Sequence, residues 1–173
     1  MSTDDREEHV KTVCAHFGLA MYLAQVLEHG LVNALLFLEL LPKRAGTPVP
    51  RKVWEAEFDA FLDRNFEMTL GRMIRNLKAV VSVPSDLEAC LSDALRERNF
   101  LAHSYFRERA DEFMSRPGRG IMTKELEAAQ ALFVRADQRL SEVTKGGREK
   151  YGITDEKAEE LFAKQLIRIQ DDL

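Results

Sequence analysis

The sequence predicts an all-α fold, an antiparallel four-helix bundle with one further helix appended at the C-terminal end. Three observations predict it. Apolar residues recur at spacings of three and four through long stretches, no stretch alternates with period two, and the apolar stretches are divided by segments bearing Pro and Gly. The chain has 173 residues, the size of one domain of about 100–200 residues. Its 45% hydrophobic and 31% charged residues suit a packed globule and not a disordered or collagen-like chain. One domain over 1–173 follows, its appended helix at about 154–170.

The first helix is expected from Asp4 to Leu41, on the stripe Val10, Val13, Cys14, Phe17, Met21, Ala24, Leu27, Leu31, Leu35 and Leu38. From Leu19 a second apolar set, including Leu23, Val26, Val32 and Leu36, widens that stripe. Such a helix is buried on more than one side, inside a bundle or against another chain. Pro42 is expected to stop it, and Lys43 to Lys52 has the composition of an extended loop. A second helix is predicted over Val53 to about Val81, with Phe58, Phe61, Leu62, Phe66, Leu70, Met73, Ile74 and Leu77 facing inward. Ser85 and Glu88 read as a capping box that opens a third helix running to about Met114. Arg116 to Gly120 reads as a break, and Thr123 opens a fourth helix that Lys145-Gly146-Gly147 closes. Thr154 caps the last helix, Asp155 to Ile169, with Ala158, Leu161, Phe162, Leu166 and Ile169 on its stripe.

Charge and cysteine content narrow the function. Lys and Arg number 25 against 29 Asp and Glu, a net charge of −4, which excludes a uniformly basic nucleic-acid coat. From Arg96 to Arg119, however, six Arg (96, 98, 107, 109, 116, 119) face four acids (Glu97, Glu108, Asp111, Glu112), a local excess of two positive charges. Lys43, Arg44, Arg51 and Lys52 form a second basic stretch, and either segment offers RNA a grip. The polar, acidic start Met1-Ser-Thr-Asp-Asp-Arg-Glu-Glu is unlike an export signal, and Leu19 to Leu41 carries Gln25, Glu28, His29, Asn33 and Glu39, which argue against a membrane span. Cys14 and Cys90 lie in helical stretches without zinc-site spacing, so a reducing cytoplasm is expected and no metal or cofactor is called for.

Of the four histidines, His9, His16 and His29 read as ordinary helix residues, since neither the spacing nor the Glu-x-x-His pairs of a bridged-metal bundle are present. His103 differs. It lies in Arg98-Asn99-Phe100-Leu101-Ala102-His103-Ser104-Tyr105, where a planar cation suited to phosphate oxygens and a group that exchanges a proton near neutral pH share one segment. In RNA the 2′-hydroxyl is a built-in nucleophile, so a base and a cation suffice to cleave the phosphodiester. Asn99 and His103 are four apart and share a helix face, while Tyr105 adds a phenol and a stacking ring. Arg98 and His103 are five apart, about 140° around a straight helix, so their convergence asks for a distortion or a second copy across a dimer.

The segment Arg98-x4-His103-x-Tyr105, with a polar residue directly after the Arg, resembles the signature of HEPN domains. The resemblance implies a helical bundle acting as a metal-independent endoribonuclease whose cleft forms between two units, hence a homodimer. By the same resemblance Arg98 and His103 are catalytic, Asn99 assists, and Tyr105 matches a tyrosine that contacts RNA or is modified in a toxin subgroup. There, a separate nucleotidyltransferase antitoxin adds AMP to that tyrosine, so a toxin or antiviral effector with such a partner is the expected context. The alternative is an inactive helical module that binds a protein or nucleotide. In that case Arg98 pairs with an acid such as Glu97 or Glu28, and His103 is a capped core residue.

Overall fold

A computed structural model describes residues 3–171, and every regular element among them is helical. The all-α prediction therefore stands, while several helix boundaries move for identifiable reasons. Met1 and Ser2 of the polar start, and the Ile169 side chain expected on the last stripe, lie outside the described residues.

Helix α1 (Thr3–Leu35) does not stop before Pro42. It passes through a π-helical turn at Leu36–Leu40 into α2 (Leu41–Arg44). A proline ring crowds the carbonyl four residues back and offers no N–H, and the wider turn absorbs that defect. The Leu41 N–H donates to Leu36 O, five residues back, and Pro42 then sits in the first turn of α2, where its ring is tolerated. The loop consequently shrinks to Ala45–Pro50.

The expected second helix is two, α3 (Arg51–Phe66) and α4 (Leu70–Val80). The backbone is extended at Thr69, and the buried Asn65 side chain donates back to Phe61 O at 2.8 Å in the last turn of α3. The break lets α4 turn a clean stripe of Leu70, Met73, Ile74 and Leu77 into the core, whereas α3 buries only Phe61 and Asn65.

The expected third helix is three pieces, α5 (Ser85–His103), α6 (Tyr105–Glu108) and α7 (Ala110–Met114), with non-helical dihedrals at Ser104 and Arg109. Pro84, not Ser85, occupies the N-cap of α5, and Glu88 pairs with Lys78 of α4 in place of closing a capping box.

Arg116–Gly120 is not a break. It forms the first turns of α8 (Arg116–Lys150), whose cap is Ser115, its Oγ accepting from Gly118 N at 3.1 Å. Gly118 is needed there because a Cβ would lie 2.2 Å from Glu112 O of α7. Helix α8 also runs through Gly146 and Gly147, and the chain leaves it at Tyr151 and Gly152, the latter at φ +77°. Helix α9 (Asp155–Asp171) starts as expected, with Thr154 Oγ1 accepting from Lys157 N at 3.2 Å.

The core lies where α1, α4, α5 and α8 meet, around Leu27, Leu31, Leu77, Leu91, Leu126 and Phe133. The largest helix–helix contact is α1 on α8. His16 meets Gln130, Gly30 lies against Asp137 and Leu140, and Gly147 lies against Leu38, so these two helices run in the same direction. Helix α5 runs against both, pairing Arg98 with Glu28 of α1 and placing Asp86 near Arg139 of α8. The run Arg6–Arg44 has the length and composition to cross a membrane, and its core stripe is the surface on which α4, α5 and α8 pack. Helix α9 is tied to α8 by Asp155, which pairs with Lys145 at 2.9 Å and Arg148 at 3.1 Å, and its Leu161, Phe162, Leu166 and Ile167 are exposed.

Candidate active site

The segment Arg98–Tyr105 occupies the last turns of α5 and the bend after it. Leu101 and Ala94 turn inward, which fixes the rotation of the helix about its axis. Arg98 then lies at the α1 edge of the core, half-buried, with Nε 3.2 Å from Glu28 Oε1. Its Nη1 also donates to Asn99 Oδ1 at 3.5 Å, the outer limit of a hydrogen bond. Asn99 is exposed on the outer face, and so is His103, the final residue of the helix. Among the described residues no side chain hydrogen-bonds to His103 or pairs with it. Asn99 and His103 thus share a face, while Arg98 is turned about 140° from His103 toward α1.

Tyr105 is not available in this arrangement, which corrects the role expected for it in touching RNA or accepting a modification. The bend at Ser104 folds its ring into the core at 2% exposure, where it stacks on Phe17 at 6.0 Å and meets the Phe100 ring edge-on at 5.6 Å. Its hydroxyl donates to Met122 O of α8 at 3.1 Å. Burial, reinforced by the negative charge of Glu125, pushes the phenol well above its ordinary range, so it stays neutral.

The local excess of arginine is also largely committed. Arg119 is 1% exposed and donates to Phe113 O at 2.8 Å, closing the end of α7, so it offers nothing to RNA. Arg96 pairs with Asp93 at 2.7 Å and Arg109 with Glu125 at 2.8 Å. In the second basic stretch Lys43 pairs with Glu39, Arg44 with Glu57 and Arg51 with Glu55.

The other histidines behave as helix residues. Gln130 Nε2 donates to His16 O at 2.9 Å, and the His29 ring meets Phe66 edge-on at 5.0 Å. Cys14 and Cys90 are free thiols, and among the described residues no three His, Cys, Asp or Glu side chains converge as metal ligands.

Beside the motif lies a feature that the motif search passed over, a cavity of about 430 Å³ between α5 and α8. Phe100, Ala129 and Leu132 give it an apolar floor, and Arg96, Glu97 and Arg135 stand at its rim. Asp93, Arg96, Glu97 and Phe100 follow one another at helical spacing, a mixed stripe of charge and aromatic that was readable in the sequence. Burial, and then the neighbouring charge of Glu125, hold the Glu97 carboxyl above the usual carboxylate range. No protein-family model, curated protein or solved structure matches this chain, so its family reading is a resemblance resting on residues 98–105.

Proposed function

We propose that the chain is a metal-independent endoribonuclease of HEPN type, working in the cytoplasm as a homodimer whose cleft is completed by two copies. The supporting observation is that His103 ends α5 exposed and without a protein partner inside the Arg98-Asn99-x3-His103 pattern. An imidazole in that position is accessible to a phosphodiester. In this reading α1, α4, α5 and α8 are the four rods of the HEPN-like bundle, and α9 is the appended helix. A toxin or antiviral effector is the context that the resemblance of residues 98–105 suggests for this activity.

In the proposed step His103 takes the proton of the ribose 2′-hydroxyl and O2′ attacks the adjacent phosphorus. The P–O5′ bond breaks, and the departing O5′ takes up a proton. The products are a 2′,3′-cyclic phosphate and a 5′-hydroxyl, with no net uptake of water. Arg98 stabilises the charge that builds on the phosphoryl oxygens, and Asn99 orients the imidazole or the phosphate. Within one subunit Arg98 and His103 diverge, and the second copy answers that divergence by bringing its own Arg98 to the first copy's His103. Glu28 holds Arg98 in place until a phosphate competes for it.

Wild-type protein incubated with mixed tRNA and mRNA in EDTA is expected to leave cyclic-phosphate and 5′-hydroxyl ends. His103→Ala and Arg98→Ala are expected to lower cleavage at least about 100-fold with the helical content intact, a loss in line with removing a general base or a charge-stabilising donor. Cleavage by either variant at the wild-type rate overturns the assignment. The second reading, an inactive helical module, is favoured by the Arg98–Glu28 pair, and it predicts no cleavage together with a lower melting temperature for Arg98→Ala.

A further inference from the structure

The cavity between α5 and α8 has the chemistry of a base-binding pocket, and its position relative to His103 gives that chemistry a use. Its volume, about 430 Å³, lies within the range of small-ligand sites. The Phe100 ring and Leu132 form an apolar floor for a planar ring. Arg109, which lines the same cavity, lies over the Phe100 ring 5.6 Å from its centroid and is held there by Glu125. Glu97 is half-buried at the wall, where the charges of Arg96 and Arg109 reach its carboxylate but, among the described residues, no side chain forms a contact ion pair or hydrogen bond with it. Arg135 stands at the opposite lip from α8, equally without a carboxylate partner among the described residues.

Position along α5 matters as much as composition. Phe100 precedes His103 by three residues and Arg96 precedes it by seven, and both spacings return to the same side of a helix. His103 is therefore about 4.5 Å farther along the axis than Phe100 and about 60° from it around the helix. A base seated on Phe100 places its own ribose phosphate next to the imidazole.

We propose that this cavity is the base subsite of the ribonuclease described above, on which reading it rests, and that it takes a guanine of the RNA strand. The Glu97 carboxylate accepts the parallel N1–H and N2–H donors of guanine, Phe100 stacks on the ring, and Arg135 receives the flanking phosphate. Guanine is the base that presents two adjacent donors to one carboxylate. Adenine and cytosine each set an acceptor beside their amino group, and uracil flanks its single N–H with two carbonyls, so each brings a lone pair against the carboxylate. The raised Glu97 carboxyl fits a site where two donors compensate a charge that burial disfavours.

The test is calorimetric titration of the His103→Ala protein, which does not turn over, with 3′-GMP, 3′-AMP, 3′-CMP and 3′-UMP. At least about tenfold tighter binding of 3′-GMP than of the other three is expected, the worth of a charge-assisted hydrogen bond. Glu97→Gln, which keeps size and shape, is expected to erase that preference. Arg135→Ala, a change on the exposed lip, is expected to weaken all four 3′-nucleotides alike. Equal affinities, no binding at millimolar concentration, or a preference that survives Glu97→Gln overturns the proposal. Tighter binding of free 5′-GTP than of 3′-GMP overturns the RNA source. Selective, Glu97-dependent binding with no RNA cleavage by the wild type leaves the subsite standing and removes the ribonuclease reading. Cleavage indifferent to guanosine does the reverse.

Discussion

Tyr105 sits two residues beyond His103, and its fate depends on a single bend. The off-helix dihedrals of Ser104 swing its ring inward onto Phe17, and its hydroxyl finds the Met122 carbonyl at 3.1 Å. Tyr105→Phe removes that one buried hydrogen bond and leaves Met122 O without its donor, a loss of about 0.5–1.5 kcal/mol. RNA cleavage by this variant is expected to equal the wild type, and a thermal melt alongside the EDTA assay checks both statements. A pH effect follows with its sign. In the unfolded chain the phenol ionises near pH 10, whereas in the fold burial and the charge of Glu125 keep it protonated well above that value. Its stability contribution is therefore complete below about pH 10 and falls as pH rises beyond it, because only the unfolded chain then releases the proton. Ultraviolet titration of the native protein should show the phenol of Tyr105 ionising only on unfolding, and Tyr105→Phe should flatten that part of the stability curve. At this scale the sequence identifies Glu28 among the acids within reach of Arg98, and the structure pairs them. It is silent on the inward turn of Tyr105, because periodicity describes a continuing helix and not the residue at which it bends.

At the scale of elements, long apolar stripes are legible and interruptions are not. The α4 stripe appears entire and the α1 stripe appears with only Cys14 turned outward, since burial of a helix face requires that spacing. Pro and Gly prove poor guides to the ends. Pro42 is absorbed by a π-helical turn, Pro117 and Gly118 open a helix, and Gly146 and Gly147 lie inside one. The breaks at Thr69, Ser104 and Arg109 bear none of that punctuation, because they come from the packing of short pieces onto α1 and α8. Gly118 gives the sharpest test. Its missing side chain lets α8 start against the backbone of Glu112, where a Cβ would lie 2.2 Å from the carbonyl oxygen. Gly118→Ala must displace backbone and is expected to destabilise by about 3 kcal/mol, at the upper end of overpacking effects. Gly120→Ala, two residues on, has open space around the added methyl and is expected to stabilise by about 0.5–1 kcal/mol. Denaturant melts of the two variants should move in opposite directions, and a shared direction would refute this account of the α7–α8 junction.

At the scale of the whole molecule the proposed cleft belongs to a pair of chains. If Arg98 of one copy serves His103 of the other, the inactive variants Arg98→Ala and His103→Ala complement each other when mixed. Half of the randomly paired dimers would then hold one intact cleft of two, giving about a quarter of wild-type cleavage. No recovery on mixing, with subunit exchange verified by sedimentation of labelled chains, would refute the shared cleft. The all-α class is legible at this scale from helical periodicity and the lack of alternation. The common direction of α1 and α8 is not, because it follows from the reversal added where the second helix divides at Glu67–Thr69.

That common direction gives the molecule a head and a tail. The early turns of α1, the early turns of α8 and the end of α5 gather at one pole, as the contacts of Phe17 with Tyr105 and of Tyr105 with Met122 show. The ends of α1 and α8 gather at the other, where Leu38 meets Gly147 and where α9 departs. A support or label attached through α9 therefore holds the protein by its tail and presents the pole of His103 to the solution. That orientation leaves the path to the imidazole unobstructed.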